Sequence, residues 1–327
     1  MNPRIGLNPR SLRKMDGNRS SIGSPDSSKP SDLPVGDELA QAQPAGDDTD
    51  DDIYVYASLL YDPALVHSPE NTKASFNRPC PFYLLEHQWT RLGVANWSKS
   101  HSPNSHGSPS HFLHGLMCAV RAYQRSHRDL SQSICLRVRV HSHCSGKITT
   151  HITIPAPRPA LSAMFPQTFG VPAYLPKTEW TIVLDTQPTE VAESTMYKTS
   201  DRSPYARARA SAAVSEPWRL KREVLLYNTD GEMLDATSST PYFFRNGRWV
   251  VPTSASGGLQ GTTRRWALEH GVAHEGVVTK DSLKIGEFVC LSNGFWGFFY
   301  ARLVAQDPRL IPPTEDECRR IEMLMRG

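Results

Sequence analysis

A glycine-rich loop that opens a helix is the strongest candidate for chemistry in this sequence. The junction reads Gly-Gly-Leu-Gln-Gly-Thr-Thr-Arg over residues 257–264. The first N–H groups of a helix have no partner within the helix, and the helix dipole favours negative charge there. Such a junction therefore binds anions, and the threonine hydroxyls add further donors. We expect a site for a ligand that carries a phosphate.

Two further residues, both earlier in the chain than this loop, add complementary chemistry. Lys198 lies in Met-Tyr-Lys-Thr-Ser-Asp-Arg over 196–202, and its amine is a nucleophile wherever burial keeps it unprotonated. Asp235 lies on a predicted strand after a glycine turn and offers a carboxylate to a basic group. Taken singly, Lys198 fits a solvated surface charge and Asp235 fits a solvent-facing strand residue. The order of lysine, carboxylate and phosphate loop is what points to a shared site.

The elements that must position these residues alternate between helical and strand patterns. Residues 223–252 predict three strands joined by two tight turns, directly before the glycine-rich loop. Other β-rich runs predict strands at 53–61, 133–140, 147–154, 180–184 and 275–278, and a buried strand-turn-strand over 286–304. Apolar residues at helical spacing predict helices within 81–97 and at 111–126, 204–214, 263–270 and 315–325. The pattern indicates an α/β (α+β) fold.

Composition changes along the chain suggest its organisation. Residues 1–52 are polar and end in an acidic run at 47–52, so we expect a disordered leader. Residues 155–178 hold six prolines and read as a linker. We therefore predict an N-terminal domain over 53–165 and a C-terminal domain over 166–327.

Charge and hydropathy exclude several classes of partner. The 327 residues are 39% hydrophobic and 21% charged, which is typical of globular proteins, and the net charge is only +3. No bulk electrostatic argument supports nucleic-acid binding. No apolar run reaches the ~18–20 residues that span a bilayer. We expect neither nucleic acid nor a membrane as a partner.

Cysteines and histidines form no convincing metal site. No pair of the six cysteines has CxxC spacing, so we expect reduced, mostly buried thiols in a cytoplasmic protein. One group of residues could be drawn as a metal site: His101, His106, His111 and His114, with His127, His141, His143 and Cys144 later in the chain. The first four lie in or beside a Ser/Pro/Gly loop without tight ligand spacing, so a solvated loop is the better explanation. The acidic run at 47–52 reads as solvated chain, and no metal is predicted.

The motifs together resemble the class IV aminotransferases, which are pyridoxal-phosphate (PLP) enzymes of fold type IV. The resemblance rests on Lys198, on the segments around Asp235 and the glycine-rich loop, and on Leu-Ser-Asn-Gly-Phe-Trp-Gly-Phe over 291–298. Residues 58–63 resemble the opening strand of the family. The segment His-Gln-Trp-Thr-Arg-Leu over 87–92 is similar to its H-x-x-R-L helix, with the histidine one residue farther from the arginine. The resemblance covers about residues 53–305. Within the family, the motifs of this chain look most like those of the fungal aminodeoxychorismate lyase branch.

The resemblance implies a fold, a cofactor and a partner. It implies a small N-terminal α/β domain and a larger, β-rich C-terminal pseudo-barrel domain, with pyridoxal 5'-phosphate bound between them. It also implies a homodimer that acts on a small-molecule substrate. Lys198 would bind the cofactor aldehyde and move protons at the substrate carbon. Arg91 would bind the cofactor phosphate, although it also fits an exposed helix charge.

The resemblance assigns the remaining cofactor contacts. Thr262 and Thr263 would hold the phosphate, and they also fit a simple helix cap. Asn293 and Gly294 match the second phosphate-side loop, although some members have a hydroxyl residue in place of this glycine. Asp235 would face the pyridine nitrogen, where the family usually has the longer glutamate.

Three further residues complete the set of candidate site residues. Thr240, like Asp235 and Gly294, departs from the common pattern, since many members have asparagine there. Arg202 and Tyr205 are candidates for binding the substrate carboxylate or the cofactor ring hydroxyl, with surface roles as the alternative.

The resemblance implies one of three functions. The first is a lyase that forms p-aminobenzoate and pyruvate from 4-amino-4-deoxychorismate for folate synthesis. The alternatives are a class IV transaminase for branched-chain amino acids, D-amino acids or amines, and a catalytically impaired homologue.

Overall fold

The computed structural model of the protein describes residues 54–94, 107–131, 133–143, 147–155 and 160–306. The predicted leader at 1–52, the predicted helix at 315–325 and three of the histidines and cysteines named above, His101, His106 and Cys144, lie outside these ranges.

A small antiparallel sheet forms first. Its strands are β1 (Tyr54–Tyr61), β2 (Leu136–His143) and β3 (Ile148–Thr153), in the order β1-β2-β3. Three helices accompany it in sequence: α1 (Pro69–Lys73), α2 (Leu85–Val94) and α3 (Pro109–Ser126).

The two faces of this small sheet differ because side chains alternate along a strand. Val55, Ala57 and Leu59 of β1 join Val138 and Val140 of β2 in one apolar cluster, together with residues of α2 and α3. The other face is mostly polar and includes Tyr56, Ser58, Arg137 and Arg139, whereas Leu60 on this face packs into a second apolar cluster. One face of the sheet is therefore core, and the other is available for a binding site.

The second sheet has eight strands in the order β6-β5-β4-β11-β10-β7-β8-β9. The strands are β4 (Thr181–Leu184), β5 (Arg222–Tyr227), β6 (Met233–Ala236), β7 (Thr240–Arg245), β8 (Arg248–Pro252), β9 (His274–Gly276), β10 (Phe288–Asn293) and β11 (Gly297–Leu303). The helices of this part are α4 (Glu193–Met196), α5 (Ser203–Ser211), α6 (Pro217–Leu220) and α7 (Thr262–Glu269).

A short connection shows that this sheet must curl. Strands β6 and β7 are joined only by residues 237–239, so their ends lie within about 14 Å of each other. In a flat sheet, their five-step separation in strand order would place them about 24 Å apart. The sheet therefore bends into a half-barrel, and the mixed α/β architecture agrees with the predicted fold class.

Most predicted elements are present, with one instructive difference. The segment 223–252 forms four strands instead of three, because residues 237–239 turn away between β6 and β7. In that turn the Ala236 N–H donates to the Ser239 carbonyl over 2.9 Å. Among the described cysteines, Cys80, Cys135 and Cys290 are buried free thiols and Cys118 is exposed. No described helix is long and apolar enough to cross a membrane.

Candidate active site

Lys198 lies where the two sheets meet. It follows α4 by two residues, and its carbonyl accepts a hydrogen bond from the Tyr56 N–H of β1 over 2.8 Å. The Ser200 N–H in turn donates to the Tyr54 carbonyl over 2.8 Å. These bonds fix the lysine backbone against the edge of the small sheet. The Lys198 amine lies 5.1 Å from the centre of the Tyr56 ring.

The surroundings of Lys198 favour its neutral form. Loss of water around the amine is the main cause, followed by the positive charges of Arg202, Arg91, Arg137 and Arg139, and together they hold its pKa well below that of a free lysine. A neutral amine is what a nucleophile or a proton acceptor requires.

Asp235 faces the interior from β6 and is only 4% exposed, so the interpretation as a solvent-facing residue is wrong. The Tyr205 hydroxyl donates to its Oδ2 over 3.3 Å, and the Arg202 guanidinium lies 3.4 Å from the centre of the Tyr205 ring. Burial raises the pKa of Asp235 to about 7, although the charge of Arg202 works in the opposite direction. The predicted pair Arg202 and Tyr205 therefore belongs to the surroundings of Asp235.

The start of α7 is the predicted anion site. Gly261 precedes the helix, and no side chain caps the first turn. Thr262 and Thr263 are both buried. The Thr263 hydroxyl lies 2.8 Å from the Ser292 hydroxyl, which links α7 to the end of β10. The first N–H groups of α7, which have no partner within the helix and no side-chain cap, therefore lie beside buried hydroxyl groups.

Arg91 joins this site through Gln88 and is not an exposed helix charge. Its Nη2 donates to the Gln88 Oε1 over 2.7 Å, and the Gln88 amide donates to the Thr262 hydroxyl over 3.3 Å. Burial lowers the pKa of Arg91 to about 10, yet a guanidinium with this pKa remains charged at neutral pH. The chain of contacts places a cation beside the helix start.

Gly294 is a glycine for a steric reason. A Cβ atom at this position would lie 2.5 Å from the Gln88 Nε2 and 2.9 Å from the Thr262 Oγ1. The close approach of the loop to Gln88 thus explains the departure from relatives that carry a hydroxyl residue here. Gln88 occupies the space that such a side chain would need.

Asn293 and Thr240 shape the neighbouring loop. The Asn293 Oδ1 accepts from the N–H groups of Phe295 and Trp296 over 3.1 and 2.8 Å, so the side chain folds the turn between β10 and β11. Thr240 is paired with Ser292 across β7 and β10. Its hydroxyl would lie 2.9 Å from a Cβ atom at Gly261.

His87 is not part of the anion site. Its Nε2 lies 2.8 Å from the Glu269 Oε2, at the far end of α7 from Thr262. The histidine therefore joins α2 to α7. The contact with Glu269 is the structural counterpart of the one-residue displacement of His87 in the sequence motif.

Two arginines near Lys198 are not among the residues predicted from the sequence. Arg137 and Arg139 lie on β2, where they face the same side as Tyr56 and Ser58 of β1. The Arg137 guanidinium lies 5.5 Å from the ring centre of Phe295, beside the turn that holds Asn293. The period of two in Leu-Arg-Val-Arg-Val would have revealed their shared face.

Several buried donors around Lys198 lack a hydrogen-bond partner among the described residues: Arg91 Nε, Arg137 Nε, Arg139 Nε, Arg202 Nη1 and the Ser58 hydroxyl. Buried polar groups in native proteins are almost always paired. Five other buried atoms in the described part of the chain also lack a partner: His87 Nδ1, Gln124 Nε2, Arg207 Nη1, Arg222 Nε and Trp266 Nε1. The four arginines named first are candidates for binding an anionic ligand, because guanidinium groups pair with anions. Among the described residues, no group of histidine, cysteine and acidic side chains could hold a metal ion.

Comparisons with known proteins show the family of the chain. A model of the amino-transferase class IV family matches residues 122–304, and the chain belongs to this family. Enzymes of the family depend on PLP, and one structural neighbour, a Mycobacterium tuberculosis aminotransferase in its PLP-bound form, has a TM-score of 0.51, 15% identity and coverage of 83% of this chain and 87% of its own.

Two fungal relatives are also similar. A candidate aminodeoxychorismate lyase of Schizosaccharomyces pombe is 41% identical over 128 residues, which is 37% of this chain and 54% of the relative. The aminodeoxychorismate lyase of Saccharomyces cerevisiae is 26% identical over 247 residues, or 66% of each chain. A solved candidate 4-amino-4-deoxychorismate lyase shares the fold with a TM-score of 0.52 at 20% identity, covering 83% of this chain and 88% of its own.

The residues present fit PLP. The uncapped start of α7 and the cation Arg91 suit a phosphate, Lys198 supplies a neutral amine for an aldehyde, and Asp235 supplies a buried carboxyl group for a ring nitrogen. The unpartnered guanidinium nitrogens suit anions. None of these groups would be satisfied by an apolar ligand.

Gly258→Ala should damage the site and the fold together. A Cβ atom at Gly258 would lie 2.1 Å from the Leu234 carbonyl oxygen, next to Asp235. The backbone must move, so we expect a loss of about 1–3 kcal/mol in unfolding free energy by urea titration, together with weaker PLP binding. Gly115→Ala is the matched control, because that glycine lies exposed within α3 with no atom within 4 Å of the added group. We expect the control to gain roughly 0.5–1 kcal/mol. Equal behaviour of the two variants would contradict the tight packing at Gly258.

Proposed function

We propose that the protein is a PLP-dependent lyase that converts 4-amino-4-deoxychorismate to p-aminobenzoate and pyruvate. The observation that supports this proposal most directly is the positive charge around Lys198. Four guanidinium groups, those of Arg91, Arg137, Arg139 and Arg202, act on Lys198, whereas Asp235 is the acidic residue of the candidate cofactor set. A cofactor phosphate neutralises part of this charge. The rest suits a substrate with two carboxylates, which 4-amino-4-deoxychorismate has and a branched-chain amino acid lacks.

The proposed cofactor contacts follow from the geometry. The first turn of α7, with Thr262 and Thr263, holds the phosphate together with Arg91, and Gly294 lets the second loop approach. Lys198 supplies the amine that holds the cofactor aldehyde. Bound in this way, the cofactor supplies an electron-accepting ring for the substrate carbon.

Asp235 faces the ring nitrogen in this proposal, and the surrounding residues set its charge. Tyr205 donates to Asp235, and Arg202 lies over Tyr205. A carboxyl group with a pKa of about 7 becomes a carboxylate readily when a protonated nitrogen approaches. Asn293 and Thr240 hold the adjoining loop and strand in place.

The proposed proton transfers balance without another reactant. Lys198 takes the proton from the amine-bearing carbon of the substrate ring. The ring C–O bond breaks, the ring becomes aromatic, and the leaving enolpyruvate takes one proton at its methylene carbon to become pyruvate. Arg137 and Arg139, on the polar face of the small sheet, bind the substrate carboxylates. Aromatisation drives the step, so the shorter carboxylate of Asp235 is tolerated.

Product analysis tests this proposal. PLP-loaded protein is mixed with 4-amino-4-deoxychorismate, and we expect p-aminobenzoate and pyruvate in equal amounts, absent with Lys198→Ala. No product from protein that visibly binds PLP would contradict the lyase proposal. A positive screen with amino-acid donors would then favour the class IV transaminase, and failure to bind PLP at all would favour an impaired homologue.

We also propose a cytoplasmic homodimer with two domains, over 53–165 and 166–327. The buried free thiols Cys80, Cys135 and Cys290 suit a reducing compartment. The two sheets with Lys198 at their junction suit a cofactor site between domains. Light scattering of the purified chain measures the oligomeric state directly.

A further inference from the structure

A second buried carboxylate lies close to the candidate site. Glu223 on β5 has 0% exposure, and its carboxylate accepts hydrogen bonds from three consecutive residues. The Thr237 hydroxyl donates over 2.6 Å, the Ser239 hydroxyl over 3.0 Å and the Ser238 N–H over 3.1 Å. The Ser238 hydroxyl donates to the same group. One side chain thus organises the whole turn between β6 and β7.

The outer side of this turn contacts two candidate site residues. The Thr237 carbonyl accepts from the Arg202 Nη2 over 3.5 Å. The Asn293 amide donates to the Ser238 carbonyl and to the Ser239 hydroxyl, both over 3.3 Å. Arg202 and Asn293 come from different parts of the chain, and the turn is their common contact.

A carboxylate suits this position because it only accepts hydrogen bonds. Its two oxygens offer about four lone-pair directions, and the turn presents four donors. A glutamine would offer one acceptor oxygen and one NH2 donor group, so part of the turn would have to reorient. The turn also explains why residues 223–252 form four strands: the captured hydroxyls stop β6 from running on into β7.

We propose that Glu223 is a positioning residue of the active site. It fixes the 237–239 turn so that Arg202 and Asn293 keep their orientation toward cofactor and substrate. The role rests on the proposed function of the site. Glu223 acts only through the turn, so its replacement should disturb ligand binding by folded protein. A carboxylate that merely stabilised the fold would change the thermal midpoint alone.

Glu223→Gln tests the proposal, with Glu287→Gln as the matched control. Glu287 also accepts several hydrogen bonds, from Arg245 and from the Lys284 N–H. It lies before β10, and within the described part of the chain none of these bonds involves a candidate site residue. For Glu223→Gln we expect PLP affinity of the cofactor-free protein, measured by absorbance titration, to fall on the order of tenfold or more, with a similar fall in kcat/KM of folded protein. The control should lose thermal stability without either change.

A milder variant covers the case in which Glu223→Gln does not fold. Thr237→Val keeps the shape of the side chain and removes one of the four donors, so we expect a smaller fall in PLP affinity in the same direction. Unchanged PLP affinity and kcat/KM in the folded variants, with only a lower thermal midpoint, would overturn the positioning role. A wild-type protein that binds PLP without forming p-aminobenzoate would count against the lyase proposal alone, because PLP affinity still tests Glu223.

Discussion

Lys198→Ala should abolish reductive attachment of PLP and lower turnover by at least about a thousandfold. The neutral amine of Lys198 is the group placed to bind the cofactor aldehyde, and its neighbours in this position are guanidinium groups, which stay protonated. Borohydride reduction of PLP-loaded protein followed by peptide mass spectrometry measures the attachment site. The wild-type protein should carry the label on the peptide containing Lys198.

The stability of Lys198→Ala separates lost chemistry from lost folding. The pKa of Lys198 is lowered in the folded state, so the unfolded chain binds a proton more readily than the folded chain does. The free energy of unfolding therefore decreases as the pH falls. The cofactor-free variant should therefore match or exceed the wild type in unfolding free energy, with the larger gain at lower pH. Lys280→Ala, at an exposed ion pair, is the control and should keep the label and the activity. Label on any other lysine would refute the assignment.

The sequence predicts the residues of this site better than their arrangement. Lys198, Asp235 and the start of α7 are recognisable because each depends on local chemistry: an amine, a carboxylate after a turn and a glycine-rich helix start. Arg137, Arg139 and Glu223 are not recognisable in the same way. The importance of the two arginines arises because β1 pairs with β2 over a long separation in sequence. That of Glu223 arises because the β5–β6 hairpin brings it beside the turn at 237–239.

Packing also decides details that residue types leave open. Gly294 looks like a loss of a phosphate ligand until the structure shows Gln88 within 2.5 Å of the missing Cβ position. The strand predicted to continue through residues 237–239 has good β-forming neighbours, but the Glu223 carboxylate captures its hydroxyls. In both cases a contact from a distant segment overrides the local preference.

Asp235→Asn should raise stability while it abolishes turnover. The folded pKa of Asp235 is about 7, against 3.8 for an ordinary aspartate. A raised pKa means that the folded protein resists ionisation, so wild-type stability falls as the pH rises from about 4 to about 7. Asparagine mimics the neutral acid at every pH. The gain should be on the order of 4 kcal/mol at pH 8 and vanish near pH 4.

Urea unfolding of both cofactor-free proteins between pH 5 and pH 8 measures this difference. If the unfolding free energies of the two proteins changed in parallel with pH, Asp235 would ionise in the folded protein without loss of stability, and the prediction would be wrong. The second arm is functional: Asp235→Glu supplies the longer carboxylate found in relatives, so we expect turnover to be kept or raised, whereas asparagine cannot carry the charge that a protonated ring nitrogen requires. A large loss with glutamate would mean that the surroundings of Asp235, which include Tyr205 and Arg202, admit only the shorter side chain. A site that gives up stability to hold an ionisable carboxyl group is one that uses its charge.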